Sequence, residues 1–228
     1  MIRGRQSLFG LVAALLAVTS APAGAENYDL ASETISACQS ETDLAILTDA
    51  LIQVGWTPKV PANLDDRAIR SYAATYLPNH FGTGDYSDTR IASTWELALK
   101  NATGARNLKI VDGSQKKDRW FVRDQTGSVL RVDSYKNGEF EQTSCVLAFK
   151  EEDSPITFEK LLEDSDRNPK SLPPVLHLRS QSSEDEELKR SMNGAILNIH
   201  RMQSASDPEF DVSSVFTTVT TKRPEKSE

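Results

Sequence analysis

The spacing of apolar residues changes once along the chain and divides it into a helical half and a strand half. Between residues 44 and 99, apolar positions recur every three or four residues, as on helices with one buried face. From Leu108 onward, apolar and polar residues alternate, which is typical of strands. The two patterns predict one α+β domain over residues 26–221, with N-terminal helices packed on one face of a mostly antiparallel β-sheet that contains a meander.

The first long helix has the clearest predicted ends. It spans residues 41–54, with Ser40 as its N-cap and Gly55 in the left-handed position after the last turn. A shorter helix that carries Cys38 precedes it.

Two further helices are predicted from their capping residues. Asn63 is the expected N-cap of one, and Pro78 is expected to end it. The other begins near Ser87 and ends within residues 101–104. A glycine-rich loop is predicted between these two helices.

The strand half is organised around a hairpin predicted at Asn137 and Gly138, because both residues tolerate the positive φ that a two-residue type I′ turn needs. This turn sets a register in which Leu130 faces Cys145. Since side chains alternate between the faces of a strand, Cys145 then points into the core. Its predicted neighbours on that face are Leu130, Val132, Leu147 and Phe149.

The strands of this hairpin are predicted over residues 129–135 and 140–149, and further strands over 108–111, 120–123, 175–180, 195–202 and 212–221. Short helices are predicted after Ser154 and within 183–193. Residues 222–228 are expected to form a disordered tail.

The chain begins with the features of a secretory signal peptide. Arg3 and Arg5 precede an apolar run over residues 8–18, and the small residues Ala23 and Ala25 suit signal peptidase. Cleavage after Ala25 would send the mature chain to the periplasm or the medium with no membrane span. The alternative is a retained membrane anchor, for which the apolar run is short.

Charge argues against some partners. The full chain has a net charge of −7, and removal of the two leader arginines leaves 24 basic and 33 acidic side chains, a net charge of about −9. Binding to nucleic acid or to an anionic membrane surface requires a basic face. We therefore expect neither as a partner.

Cys38 and Cys145 are the two cysteines of the chain. An exported protein folds in an oxidising compartment, where two cysteines have one possible intramolecular pairing. We predict a structural disulfide between them.

The sequence contains no recognised catalytic, cofactor-binding or metal-binding pattern. His80, His177 and His200 lie in no known ligand spacing, and neither a cofactor nor a metal is expected. Ser114 and Lys117 match the S-x-x-K element of penicillin-interacting serine enzymes, but this serine follows an Asp-Gly turn between predicted strands and not the start of a helix.

These observations favour an exported, soluble, non-catalytic binding or accessory module of the cell envelope, whose partner is an unknown protein or small molecule. The alternative is an envelope hydrolase whose catalytic residues are scattered along the chain. An accessible pocket that joins His177 or His200 to a serine or carboxylate would favour the hydrolase.

Overall fold

The computed structural model describes residues 30–80, 88–108, 116–137, 139–153, 175–182, 194–202, 212 and 214–222. The predicted signal peptide and the short helices predicted after Ser154 and within 183–193 lie outside these residues. The glycine-rich loop predicted at 81–88 also lies outside them except for Asp88, which is the first residue of a helix. Most of the predicted tail does too, although its first residue, Lys222, is the last residue of a strand and not part of a tail.

The described residues contain five α-helices and seven β-strands. The helices are α1 (Leu30–Ser40), α2 (Leu44–Gln53), α3 (Asp66–Ala74), α4 (Leu77–His80) and α5 (Asp88–Gly104). The strands are β1 (Thr57–Lys59), β2 (Lys116–Val122), β3 (Val129–Lys136), β4 (Glu141–Phe149), β5 (Val175–Ser182), β6 (Gly194–Met202) and β7 (Ser214–Lys222).

All seven strands belong to one antiparallel sheet with the order β1-β2-β3-β4-β7-β6-β5. The predicted meander is therefore β2-β3-β4, and the C-terminal strand β7 pairs with β4 in the middle of the sheet. The predicted α+β class is confirmed.

Both faces of the sheet are covered by helices. One, which we call the disulfide face, carries an apolar cluster with α1 and α2; its strand residues are Phe121, Leu130, Val132, Cys145, Leu147, Phe149 and Phe216. The opposite face, which we call the arginine face after Arg131, packs against α3 and α5 through Trp120, Val122, Val129, Ala148 and Val215. The prediction placed the N-terminal helices on one face of the sheet. This is correct for α1 and α2, but α3 and α5 pack on the opposite face, because the apolar run at 120–122 gives β2 apolar side chains on both of its faces.

The ends of α2 show one correct and one wrong cap prediction. Gly55 has a φ of 100°, and its N–H and that of Trp56 donate to the carbonyls of Ile52 and Leu51, which is the predicted left-handed cap. The N-cap is Asp43 and not Ser40, because the Asp43 carboxylate accepts from the N–H groups of Ala45 and Ile46. Ser40 instead ends α1.

The start and end of the second predicted helix also differ from expectation. Its N-cap is Asp65, whose carboxylate accepts from the Ala68 N–H, whereas Asn63 ends a short 3-10 helix. Pro78 does not terminate the segment, since it lies in the first turn of α4, where a missing N–H costs no helical hydrogen bond. Leu108, predicted to begin a strand over 108–111, follows a 3-10 turn at Ala105–Asn107, and the rest of that predicted strand lies outside the described residues.

The β3–β4 hairpin has the predicted faces but a register two residues away from the prediction. Val132, not Leu130, lies opposite Cys145, and Lys136 lies opposite Glu141. The loop is longer than a type I′ turn because the Asn137 carboxamide oxygen accepts from the N–H groups of Glu139 and Phe140. A shift of two residues leaves every side chain on its original face, so Cys145 still points into the core.

The predicted disulfide joins α1 to β4. Cys38 and Cys145 are bonded with Cα atoms 6.2 Å apart, and both side chains are fully buried. The end of α1 is held by the sheet as well, since Thr220 Oγ1 donates to the Cys38 carbonyl and Lys222 Nζ donates to the Ser40 carbonyl. These donors satisfy carbonyl groups that the last turn of a helix leaves unpaired.

Candidate functional site

A cleft of about 520 Å³ lies on the disulfide face, between the N-terminal half of α2 and the outer part of the sheet. We call it the α2 cleft. Its walls are formed by Thr42, Asp43, Leu44, Ala45, Thr48 and Asp49 from the α2 side, and by Lys117, Arg119, Ser134, Lys136 and Glu141 from strands β2, β3 and β4. The volume is in the range of pockets that bind small molecules.

The sheet wall of the α2 cleft is basic for a structural reason. Lys117 and Arg119 are two residues apart on β2, so both side chains project from the disulfide face. Ser134 lies directly opposite Lys117 on β3, and Lys136 follows it on the same face. Three cationic groups therefore line one wall around a hydroxyl group.

Two of these cations have no carboxylate partner within the described part of the chain. Lys117 makes no ion pair there, and the one hydrogen bond of the Arg119 side chain runs from Nη1 to the backbone carbonyl of Asp118 at 3.0 Å. Lys136, in contrast, is ion-paired with Glu141 directly across the hairpin, and this partner raises the pKa of Lys136. The charge that the cleft offers to a ligand therefore comes from Lys117 and Arg119.

The α2 wall of the cleft does not offer a free helix N-terminus. The Asp43 carboxylate already accepts hydrogen bonds from Ala45 and Ile46 in the first turn. The N–H groups of Ile46 and Ala45 lower the pKa of Asp43, and Lys136 and Lys117 lower it further through charge. Asp49, exposed on the same helix, adds a second carboxylate to this wall.

A charged network among the described residues lies on the arginine face and is partly buried. Arg131 Nη2 donates to Asp133 at 2.8 Å and to Asp118 at 3.2 Å, and Nη1 donates to the Tyr72 hydroxyl at 3.0 Å. The guanidinium also lies over the Trp120 ring, 5.4 Å from its centre. Since Tyr72 and Trp120 are 3% and 1% exposed, this network joins α3 to the sheet and leaves little room for a ligand.

A serine and a carboxylate meet at hydrogen-bond distance near the end of β4. Ser128 Oγ donates to Asp153 Oδ2 at 2.6 Å and accepts from the Lys150 N–H, and Thr126 donates to the same carboxylate oxygen. Ser128 is fully buried, so it has no access to a substrate. This cluster fixes the β2–β3 turn against the segment after β4.

The three histidines lie on two parts of the fold. His177 and His200 occupy directly opposite positions on β5 and β6, and His80 is the last residue of α4. Within the ranges that the structure describes, no group of three histidine, cysteine, aspartate or glutamate residues is placed to hold a metal ion.

Sequence reasoning missed Lys117 and Arg119 as site residues. Lys117 was considered only as part of the S-x-x-K match. In the enzymes that use this element it lies on a helix, whereas Lys117 lies on strand β2. The available signal was the placement of two cations at alternate positions just before the apolar run at 120–122. Ser114, the other half of that match, lies outside the described residues.

No protein-family model, curated protein or solved structure matches the chain. In the described ranges, no helix has the length and apolar character needed to cross a bilayer. The candidate site is therefore defined by its own geometry.

Proposed function

We propose that the chain is an exported, non-catalytic binding protein of the cell envelope and that it binds an anionic group of its ligand in the α2 cleft. The observation that supports this function most directly is the pair Lys117 and Arg119, two cations without a carboxylate partner among the described residues in a cleft of about 520 Å³. A carboxylate or phosphate between them would gain charge-assisted hydrogen bonds from both side chains.

The composition of the two walls limits the class of ligand. The sheet wall attracts negative charge, while Asp43 and Asp49 on the helix wall would repel a ligand that is anionic on every side. A ligand with an anionic edge and a neutral or cationic edge fits both walls. These two acidic groups and the acidic net charge argue against a polyanion such as nucleic acid as the ligand.

Charge reversal provides the test of the binding site. The purified mature chain is titrated with acetate, glutarate, glutamate and inorganic phosphate at constant ionic strength, and binding is followed by calorimetry and by thermal unfolding. We expect at least one of these probes to stabilise the wild type and to have no effect on the double variant Lys117→Glu, Arg119→Glu.

The control is Lys100→Glu, which makes the charge change of one of these two substitutions at an exposed position of α5. It should bind the probes as the wild type does. Equal responses of all three proteins would mean non-specific screening, and no response to any probe would remove the α2 cleft as an anion site.

The exported state has its own test, because it depends on the leader and not on the cleft. We expect mass spectrometry of the periplasmic or secreted product to show Glu26 as the first residue. A product that retains Met1 would show that the leader is not cleaved, and its recovery in the membrane fraction would favour the anchor.

A further inference from the structure

One row of side chains across the sheet connects the α2 cleft to the end of α1. Lys117, Ser134, Thr143 and Thr220 lie opposite one another in turn on β2, β3, β4 and β7. Residues that lie opposite each other in antiparallel strands project from the same face of the sheet. The first two line the cleft, whereas the last two donate hydrogen bonds to the end of α1 and to the linker that follows it.

The linker between α1 and α2, residues 41–43, is anchored to β4 at two adjacent inward positions. Thr143 Oγ1 donates to the Thr42 carbonyl at 3.1 Å, and both side chains are buried. Two residues further along β4, the disulfide joins Cys145 to Cys38 in the last turn of α1. Two attachments so close together in the chain leave little freedom to the start of α2.

The start of α2 forms the helix wall of the cleft. Thr42 lines the cavity itself, and Asp43 and Leu44 follow it there. The Glu41 carboxylate stiffens the same segment, because it accepts from the N–H groups of Thr42 and Asp43 at 2.7 Å. The separation between the helix wall and the cations of the sheet wall therefore depends on Thr143 and on the disulfide.

We propose that Thr143 and the disulfide between Cys38 and Cys145 are positioning groups of the α2 cleft, and that the cleft binds its anionic ligand tightly only while the two cysteines are oxidised. This inference rests on the proposed function, because it concerns the ligand of the same site. Reduction by a dithiol breaks the S–S bond, transfers two electrons and two protons to the cysteine sulfurs, and converts the dithiol into a disulfide. The start of α2 is then held to β4 by the Thr143 hydrogen bond without the covalent bond beside it.

Binding and oxidation are coupled in both directions. A cleft whose helix wall is displaced in part of the molecules has an apparent affinity that is lower in proportion to the closed fraction. By thermodynamic linkage, a ligand that prefers the oxidised protein makes the disulfide harder to reduce by the same factor. The burial of both cysteines fits this coupling, since a dithiol reaches the sulfur atoms only when α1 moves away from the sheet.

The first experiment measures both directions of the coupling. Acetate, glutarate, glutamate and inorganic phosphate are titrated by calorimetry into the oxidised mature chain and into the chain kept reduced by dithiothreitol, at a temperature at which both are folded. We expect reduction to weaken the binding of an effective probe by about tenfold, within the usual range of coupling between sites. In a buffer of reduced and oxidised dithiothreitol, the same probe should shift the thiol–disulfide equilibrium by an equal factor.

A second experiment keeps the disulfide and does not depend on the stability of the reduced chain. Thr143→Val removes the donor to the Thr42 carbonyl at nearly constant volume, and we expect it to weaken binding about fivefold, the factor for one lost hydrogen bond. Thr143→Ser retains a hydroxyl group and should restore most of the affinity. The matched control is Thr218→Val. Thr218 is also buried on the disulfide face, opposite Cys145, but its hydroxyl has no hydrogen-bond partner among the described residues, so binding should be unchanged.

The outcomes separate this inference from the proposed function. If a probe binds the oxidised wild type, a normal affinity of the reduced chain or of Thr143→Val removes the corresponding positioning group, while the anion site survives. Equal weakening by Thr143→Val, Thr143→Ser and Thr218→Val would also refute positioning by Thr143, because general destabilisation would then explain the loss. If no probe binds the oxidised wild type, both proposals fail.

Discussion

The two faces of the sheet attach their helices by different means. On the disulfide face, α1 is joined covalently to β4 and its last carbonyls accept hydrogen bonds from Thr220 and Lys222. On the arginine face, α3 is held by apolar packing and by the hydrogen bond from Arg131 to the Tyr72 hydroxyl. One attachment constrains the unfolded chain, whereas the other depends on a charge network that exists only in the folded state.

This difference predicts that the helices on the two faces detach from the sheet independently. Loss of the disulfide should loosen α1 and α2 first, and loss of the arginine network should loosen α3 first. Amide hydrogen exchange resolves the two outcomes, because local opening of each helix is reported by its own amides.

The largest effect is expected from removal of the disulfide. The bridge closes a loop with a sequence separation of 107, for which the chain-entropy model gives an upper value of about 4.7 kcal/mol. We expect Cys38→Ser, Cys145→Ser to lose most of this free energy of unfolding in urea and to show fast exchange in α1.

The wild type with dithiothreitol should match the double variant, and the reductant should leave the variant unchanged. A double variant as stable as the oxidised wild type would show that the bridge does not hold the disulfide face together.

A somewhat smaller effect is expected from Arg131→Leu. The substitution leaves Asp118 and Asp133 without their common cation at sites that are 25% and 20% exposed. Breaking a buried pair costs about 3–5 kcal/mol, and the partial exposure here places the expected loss near about 3 kcal/mol. Faster exchange should appear in α3 and not in α1.

Arg90→Leu is the control for this loss, because Arg90 is an exposed arginine on α5. It should change the free energy of unfolding little. If Arg131→Leu loosens α1 and α3 equally, the two faces act as one cooperative unit and their helices do not open independently.

Gly55→Ala should destabilise the disulfide face by roughly 1–2 kcal/mol, because Gly55 has a φ of 100° that alanine resists. An added Cβ would also lie 2.6 Å from Arg123 Nη1, which donates to the Gly55 carbonyl. Chemical denaturation measures the loss. Gly104→Ala is the matched control, since Gly104 has a φ of −60° and open space around it, so its stability should be unchanged or higher.

The smallest effect is expected at the N-cap of α2. Asp43→Ala should cost about 1 kcal/mol because two N–H groups of the first turn lose their acceptor. Asp49→Ala, on an exposed side of the same helix, should cost less.

The N-cap contribution should also depend on pH. The N–H donors of Ile46 and Ala45 lower the pKa of Asp43, so its contribution is fully present above the unfolded pKa of about 4 and is lost as the pH falls through the folded pKa. Denaturation curves recorded at falling pH should therefore converge for wild type and Asp43→Ala. A constant difference at all pH values would show that the carboxylate charge is not involved.

The sequence predicts the disulfide face well because this face depends on patterns between residues that are close together in the chain. Alternation places Cys145 on the buried face whether the hairpin register is correct or shifted by two, and Gly55 followed by Trp56 marks the end of α2. The predictions of Ser40 and Asn63 as N-caps were wrong for the same reason. Each lies near an aspartate that caps the next helix, and propensity alone does not separate neighbouring candidates.

The arginine network and the α2 cleft were not predictable in this way. Arg131 meets Tyr72 across 59 positions of the chain, so the contact depends on how α3 lies over the sheet. The charges at 116–119 have the composition of a solvated turn, and only the pairing of β2 with β3 places Lys117 beside Ser134 on one wall of the cleft. The contact between Arg131 and Tyr72 leaves no periodic signal in the sequence.

The position of α1 has a consequence for the order in which the protein is made. Ribosomes produce α1 first among the described elements, yet its docking surface is built from β4 and from β7, which ends at Lys222. Co-translational folding that favours N-terminal segments therefore cannot complete this part of the molecule. The Cys38 thiol has to wait for Cys145, and the final carbonyls of its helix acquire their partners only after β7 has been synthesised.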